Sequence, residues 1–429
     1  MGYDPPGQET LIAMTTSHPP TPNCGPLSGL RILDLSRILA APTATQFLGD
    51  LGADIIKIER PNAGDDTRKW GPPFVKDADG NLTSESAYYL CANRNKRSVA
   101  IDISQPDGAR LIRDMLKHCD ILIENFKVGG LAKYGLSYND LKDEFPDLIY
   151  CSVTGYGQTG PESYKPGYDY LAQGMGGMMS LTGEPDGEPM KVAVGIADVM
   201  CGMYASNAIL AALHYRHSTG KGQYIDIGLA DSQVAWLVNE GTNYLLSGEV
   251  PKRRGNAHPN IVPYQPLPTS DGFFILAVGN DTQFSKFCAF AGVPELAADQ
   301  RFSTNTQRVH NREILIPLLE DTTRNKPMAY WLDGLSPIGV PCGPVNTLDK
   351  VFADPQFVHR GMKLTMDYPT AGTGKVDLVA NPLKLSETPV SYRYPPPTLG
   401  QHTSEVLEDL LGLDEQDLNT LEENGLIGK

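Results

Sequence analysis

Leu30-Arg-Ile-Leu-Asp-Leu-Ser-Arg-Ile-Leu-Ala-Ala-Pro42 decides the fold class. Residues 30–35 read as a strand and those after them as a helix, with Pro42 in the first turn, where a missing N–H breaks no bond. The unit then recurs. Ala53-Asp-Ile-Ile-Lys-Ile58 is a second strand, after a helix ending near Gly52, and residues 98–103 are a third. Ser104, with Asp107 three residues on, reads as the capped start of a helix to His118. Residues 121–123 and 148–153 add two short apolar strands. Strands alternating with helices at this spacing predict an α/β fold with a parallel, doubly wound sheet.

The first strand-to-helix turn lacks the G-x-G-x-x-G that lets backbone approach a pyrophosphate, which removes most of the case for a nicotinamide or flavin dehydrogenase. The pattern does occur at Gly155-Tyr-Gly-Gln-Thr-Gly160, but Pro161 and the Pro- and Gly-rich residues beyond it open no helix. No P-loop occurs. Gln173-Gly-Met-Gly-Gly-Met-Met-Ser-Leu-Thr-Gly183 carries too many apolar side chains for a linker and reads as an active-site loop needing close backbone approach. A long small-residue helix opens at Asp198 and runs through His214, residues 223–227 read as a strand, and 231–246 as another helix. Lys252-Arg-Arg-Gly-Asn-Ala-His-Pro259 marks a domain break. Beyond it, a strand over 273–278 and helices near 282–291, 312–323 and 327–335 form a smaller α/β unit. Helices over 403–411 and 414–423 close the chain.

A net charge of −15 argues against a nucleic-acid binder and against a polybasic membrane patch, though not against an anionic ligand held by a local cationic cluster. No apolar run approaches the ~20 residues of a membrane helix, so no membrane association is expected. The seven cysteines form no C-x-x-C pair, so neither a disulfide framework nor a metal site is indicated, and a reducing compartment fits. The first 26 residues hold six Pro, no Arg and no apolar period, and read as a disordered leader.

Asp198 is the most informative single residue. A carboxylate where a helix begins either caps backbone N–H groups or serves as a nucleophile that needs no general base, being ionised at neutral pH. Arg37, Lys57, Arg60, Arg68, Arg94, Lys96 and Arg97 cluster at or near strand ends. In a doubly wound sheet those ends face the ligand crevice, so this group points to a ligand carrying phosphates. Asn125-Phe126 supplies an amide and an aromatic face suited to a purine, or simply a turn and a core ring. Tyr168-Asp169 is placed to orient a reacting group or to serve structure alone. His258 and His310 have no metal-ligand spacing, and no G-x-S-x-G elbow occurs.

Taken together, these residues resemble the class III CoA-transferases. The resemblance runs from Pro26 to about Leu413. It rests on Leu51-Gly-Ala-Asp-Ile-Ile-Lys-Ile-Glu-Arg-Pro61, Asn93-Arg-Asn-Lys-Arg-Ser98, Glu124-Asn-Phe126, Thr154-Gly-Tyr-Gly-Gln-Thr-Gly-Pro161, Gly167-Tyr-Asp169 and Gly400-Gln-His-Thr403. More narrowly, Gly64-Asp-Asp-Thr-Arg68, Ile261-Val-Pro-Tyr-Gln265 and Arg308-Val-His-Asn-Arg312 look like the branch acting on succinyl-CoA and glutarate. The resemblance implies a Rossmann-like large domain over 27–230, a linker helix over 231–255, a small α/β domain over 256–345 and a return to the large domain over 346–429. It also implies an interlocked homodimer in the mitochondrial matrix or cytoplasm.

The family's catalytic aspartate maps onto Asp198. CoA contacts map onto Leu39, Ala40, Arg60, Ile101, Asp102, Ile103, Ser104, Asn125, Phe126, Lys127, Lys133 and Tyr168. Ser104 and Lys133 depart from the lysine and arginine of formyl-CoA transferase. Gly174, Gly176 and Gly177 are candidates for holding oxyanions through backbone N–H groups. Candidates for the acceptor's distal carboxylate are Arg68, Arg254, His258 and Tyr264. The implied substrates are acyl-CoA thioesters, succinyl-CoA above all, and a dicarboxylate such as glutarate or itaconate, with no permanently bound cofactor. Two alternatives stand beside this reading: an α-methylacyl-CoA racemase, which needs a histidine where this chain has Tyr168, and a non-catalytic CoA-binding protein, which has no need of Asp198.

Overall fold

The computed structural model describes residues 25–428, so all but the last two residues of the expected leader lie outside the described residues. The first half runs β1 (Arg31–Asp34), α1 (Ala40–Asp50), β2 (Asp54–Glu59), a hairpin of β3 (Phe74–Lys76) and β4 (Leu82–Ser86), α2 (Ala87–Leu90), β5 (Lys96–Ile101) and α3 (Pro106–Leu116). It continues with β6 (Ile121–Glu124), α4 (Tyr138–Leu141), β7 (Ile149–Thr154), α5 (Asp169–Met175), α6 (Met178–Leu181), α7 (Ile196–Thr219), β8 (Tyr224–Gly228), α8 (Leu229–Ala235) and α9 (Val238–Ser247). A smaller unit follows, with β9 (Tyr264–Thr269) and β10 (Gly272–Ala277) antiparallel and β11 (Cys342–Pro344) on the other side of β10. A second hairpin of β12 (Lys363–Asp367) and β13 (Lys375–Val379) leads to two helices and the short strand β14 (Ile427–Gly428).

Seven strands form the main sheet, in the order β14-β5-β2-β1-β6-β7-β8. All its pairings are parallel except that of β14, which closes the edge antiparallel to β5. The strand alternation read from residues 30–154 is therefore a parallel-dominated α/β sheet. Alternate side chains of each strand face opposite sides. Leu33, Ile56, Val99 and Leu122 face a core shared with α3 and with Val406, Leu407 and Leu410 from the chain's end. Ile32, Ile55, Ile121 and Ile149 face the other core, built with α1 and α7. The smaller unit has its own core around Phe274, Phe287 and Trp331.

Several local expectations change. The helix after β5 begins at Pro106 with Gln105 as N-cap, because proline is suited to the first helical position, while Ser104 instead donates to Asp102 Oδ1 at 2.6 Å. The glycine-rich stretch is no open loop: it folds into α5 and α6, turned at Gly177 with φ +87°. The helix expected over 231–246 is two helices, α8 and α9. Finally, α7 starts at Ile196, two residues before Asp198, and is long and apolar enough to meet the length and composition of a membrane span, contrary to the sequence expectation. In the fold Ala197, Cys201, Ala205, Ile209 and Ala212 of this helix are buried in the core against the sheet and α1.

Candidate active site

The strand order reverses between β1 and β6, because the chain builds outward from β1 through β2 and β5 and then returns to the other side. Ligands of such sheets sit outside the carboxyl ends of the strands at that switch point. Here the two loops that leave it are stitched together. Arg37 N–H donates to Asn125 Oδ1 at 2.9 Å, and Asn125 Nδ2 donates to the Arg37 carbonyl at 2.6 Å. Ile38, a β-branched residue, holds φ +73°, a conformation that only strong surrounding contacts sustain. Those contacts come from a buried ion pair. Lys57 Nζ reaches Asp65 Oδ2 at 3.0 Å and the Ser36 carbonyl at 2.8 Å, and the Asp65 carboxylate accepts the Ile38 N–H. The strained turn delivers Leu39 and Ala40 to the start of α1.

A cavity of about 150 Å³ opens there, lined by Ala40, Asn125, Phe126, Lys127, Tyr168 and Asp198 among others, with no histidine in its wall among the described residues. Arg37 and Phe126 also line a second cavity of about 350 Å³, walled by Arg60, residues 101–104 and Tyr134. The two adjoin, giving an elongated cleft with Asp198 at one end and Arg60 at the other. Most of the residues expected to contact CoA therefore line one cleft. Leu39 is buried beside Gly195, and Lys133 stacks over the Tyr134 ring at 4.5 Å, at the margin of the second cavity.

Asp198 is buried, and its carboxylate accepts no hydrogen bond among the described residues. Burial, helped by the nearby negative charge of Asp169, pushes its pKa up to about 7. A carboxylate expected from the sequence to be fully ionised at neutral pH is instead shifted toward its protonated form by burial. Nor does Asp198 cap its helix. The N-cap position is Gly195, which has no side chain, and the cap comes from another helix: Asp169 Oδ1 accepts the N–H groups of Ala197 at 2.8 Å and of Asp198 at 3.4 Å. Tyr88 was not anticipated either. Burial, then the charge of Asp198, pushes its phenol up to about 12. Glu124, at the end of β6, is buried without a cation. Its carboxylate accepts from Ser152 Oγ and, at 2.7 Å, from the Phe126 N–H, and desolvation raises it to about 7.

Much of the expected cationic cluster is spent inside the fold. Lys57 pairs with Asp65, Lys96 with Asp34, Arg94 with Asp50 and Arg97 with Asp54, all buried or nearly so. Buried cations require such partners. Lys57 still lines the second cavity, with its ammonium held by Asp65 and the Ser36 carbonyl, while Arg37, paired with Asp66 at 2.8 Å, and Arg60 stand exposed at the cleft. Arg68 is withdrawn in the same way as an acceptor candidate: its guanidinium is buried, 2.7 Å from both Glu59 Oε2 and Glu85 Oε2, with the Tyr89 hydroxyl accepting at 2.6 Å. The oxyanion candidates change too, since Gly176 N–H donates to the Ala172 carbonyl at 2.8 Å and Gly177 N–H to that of Gly174 at 3.4 Å. Gly174 stands inside α5 facing Met179, and none of the three lines the Asp198 cavity.

The other acceptor candidates gather elsewhere. Arg254 pairs with Glu240 at 2.8 Å, and the His258 and Tyr264 rings lie 5.2 Å apart. Arg312 Nη2 donates to the carbonyls of His258 and Pro259. None of these four lines the Asp198 cavity. Among the described residues no group of His, Cys, Asp or Glu is arranged to hold a metal ion, and Cys91, Cys119, Cys151, Cys201, Cys288 and Cys342 are free.

The model of CoA-transferase family III matches residues 27–403. The chain is 48% identical over 386 residues to a succinate–glutarate CoA-transferase of Agrobacterium fabrum, covering 90% of this chain and 96% of that one. It is 44% identical over 405 residues to the human succinyl-CoA:glutarate CoA-transferase, covering 94% and 90% respectively. A crystal structure of a CAIB/BAIF family protein from Brucella suis superposes with a TM-score of 0.78 at 49% identity, covering 90% of this chain and 99% of that one.

Proposed function

This chain belongs to CoA-transferase family III and is an enzyme of that class, and from that premise we propose that it moves CoA from succinyl-CoA to glutarate through a covalent thioester on Asp198. The observation that carries the reading is Asp198 itself: a desolvated carboxylate with no hydrogen-bond acceptor role, at the end of a cleft that lies on the switch point of a parallel sheet. The succinyl donor and the glutarate acceptor are supported by the activities of the Agrobacterium and human relatives. Itaconate, also a five-carbon dicarboxylate, is a second acceptor on this reading.

The chemistry needs no net proton transfer. An Asp198 oxygen attacks the succinyl thioester carbonyl, the C–S bond breaks, and a mixed anhydride and CoA thiolate result. The thiolate attacks the aspartyl carbonyl, releasing succinate and leaving aspartyl-CoA thioester. A carboxylate oxygen of the acceptor attacks that thioester, and the returning thiolate then attacks the acceptor carbonyl, freeing Asp198 and the new acyl-CoA. Desolvation serves the first step, because a carboxylate of raised basicity is a stronger nucleophile once ionised. Ala40, Arg60, residues 101–104, Asn125, Phe126, Lys127 and Tyr168, with Leu39 and Lys133 at its margin, hold CoA in the cleft on this reading. CoA thioesters are substrates here, and no permanently bound cofactor is assigned.

Arg254, His258 and Tyr264 remain our candidates for the acceptor's distal carboxylate, supplied to the cleft by a second copy of the chain in an interlocked homodimer. Large apolar side chains left uncovered on one protomer support that assembly: Leu245 is 82% exposed and Leu246 87%, and Met203, Tyr204 and Tyr215 lie on the outer face of α7. The separate cores support large and small domains over 27–230 and 256–345, joined through 231–255, with 346–429 returning to the large one through Val406, Leu407 and Leu410 and through a further cluster of Tyr89 with Met366 and Tyr368. Free thiols fit a reducing compartment, cytoplasm or mitochondrial matrix.

Mass spectrometry of the protein incubated with succinyl-CoA tests this reading. We expect CoA attached at Asp198, glutaryl-CoA on adding glutarate, and neither product from Asp198→Asn. Transfer by the Asn variant, or an adduct at another residue, refutes the assignment.

A further inference from the structure

A carboxylate in the first turn of a helix normally turns back to accept the free N–H groups there, and those groups stabilise it. At α7 this does not happen to Asp198. Asp169, from α5, already occupies the Ala197 and Asp198 N–H groups with its Oδ1, while its Oδ2 accepts from Gln173 Nε2 at 2.8 Å. Gln173 in turn accepts the Val192 N–H through Oε1 at 2.8 Å, so one Asp–Gln pair fixes the segment entering the helix. Asp169 packs directly on the N-cap position: a Cβ at Gly195 would stand in ordinary contact with the Asp169 carboxyl carbon, at 3.7 Å, and tightly against Leu39 Cδ2, at 3.1 Å.

We propose that Asp169 is a positioning residue for the transfer reaction: by capping α7 in place of Asp198, it keeps the Asp198 carboxylate free of hydrogen bonds and presented to the cleft. A cap borrowed from a neutral serine or threonine would hold the helix equally well. A charged cap does something more, because it adds a negative charge beside the nucleophile. Of the groups around Asp198, Arg37, Lys127, Lys165 and Tyr168 line the same cavity, Tyr88 of α2 feels its charge, and Cys201 lies one turn on, with Asp231 of α8 acting on that thiol. Beyond burial, the charge that raises Asp198 is that of Asp169. The inference rests on Asp198 being the nucleophile.

The test compares Asp169→Asn with Asp169→Ala, measuring kcat, KM for succinyl-CoA and the pH profile of kcat/KM, with the Asp198 adduct followed by mass spectrometry in each. An asparagine retains a carbonyl oxygen for the Ala197 N–H but removes the charge. We expect Asp169→Asn to keep kcat within about threefold at pH 8 and to move the acid limb of kcat/KM down by about one unit. In Asp169→Ala the Asp198 carboxylate is free to fold back on the vacated N–H groups, and kcat falls by ~10²-fold with little change in KM. An acid limb in Asp169→Asn identical to wild type overturns the inference, as does wild-type kcat in Asp169→Ala. If the alanine variant does not fold, the acid limb of the asparagine variant decides. A wild-type protein that forms no adduct at Asp198 defeats the functional reading itself, an outcome distinct from unchanged profiles in a protein that does form it.

Discussion

Replacing Gly202 by alanine tests whether the seam between α1 and α7 sets the geometry of the cleft. Gly202 lies one turn after Asp198, and a Cβ there would meet the Ala40 carbonyl oxygen at 2.5 Å, Thr43 Cβ at 3.0 Å and Ala44 N at 3.3 Å. Two of those atoms are backbone, so no side-chain rotation relieves the overlap. The first contact is roughly 0.9 Å inside ordinary van der Waals distance, and the two helices must separate by about that much. Overpacking of this kind costs about 1–3 kcal/mol, and the better helix propensity of alanine returns about 1 kcal/mol. The net loss of ~0–2 kcal/mol lowers Tm by at most about 2 °C in a chain of this size. The functional loss is larger, because Asp198 rides on α7 while Ala40 rides on α1. A misplacement near 1 Å between nucleophile and substrate site costs up to ~10²-fold in rate. We therefore expect kcat/KM for CoA transfer to fall ten- to a hundredfold in Gly202→Ala at nearly normal thermal stability. Gly220→Ala is the control. Gly220 ends the same helix at φ +71° with nothing within 4 Å of its would-be Cβ, so alanine there costs about 1 kcal/mol of strain and leaves kcat/KM unchanged. A Gly202→Ala protein with wild-type kcat/KM, or with a raised Tm and full activity, refutes the reasoning.

Three further outcomes follow from the charges. Because burial raises Asp198 to about 7, and only the ionised form can act in the proposed attack, we expect kcat/KM of the free enzyme to fall about tenfold per unit below pH 7; a profile flat down to pH 5 contradicts this. Glu124 is raised by burial from 4.5 to about 7, so the folded state favours its protonated form, and the stability this contributes is present at low pH and lost as pH rises through 7. Glu124→Gln should then stabilise the protein by up to ~3 kcal/mol at pH 8.5 and by little at pH 4, read from denaturant midpoints. Arg68→Ala strands Glu59 and Glu85 in the interior and should cost about 3–5 kcal/mol, read as a fall in the denaturation midpoint. In a folded Arg68→Lys variant, KM for glutarate should match wild type, and a large rise would return Arg68 to the acceptor site.

The five parallel strands over residues 30–154 could be read directly from the sequence, since runs of apolar residues are a local property, whereas the β3–β4 hairpin with α2, and α4, gave no such signal. Asp198 could be located the same way, as a carboxylate near the start of a small-residue helix, and its family role came from linked motifs. Its electrostatic state could not. The groups that raise Asp198, or fail to neutralise it, come from burial under α1 and from Asp169, 29 residues away in the chain. The cationic cluster shows the same limit more sharply. Seven Lys and Arg residues near strand ends are candidate phosphate ligands by sequence, yet Lys96 is consumed by Asp34, 62 residues distant, and Arg97 is shared between Asp54 and Glu405.

The sequence by itself determined the α/β alternation, the family and the place of the carboxylate proposed as nucleophile, because each depends on residue types at short, fixed spacings. Only the tertiary structure decided which charges face the cleft, which are spent in the core, and what caps the helix that carries Asp198. Those outcomes depend on which distant groups share a low-dielectric interior, where a charge without a partner is far costlier than at the surface.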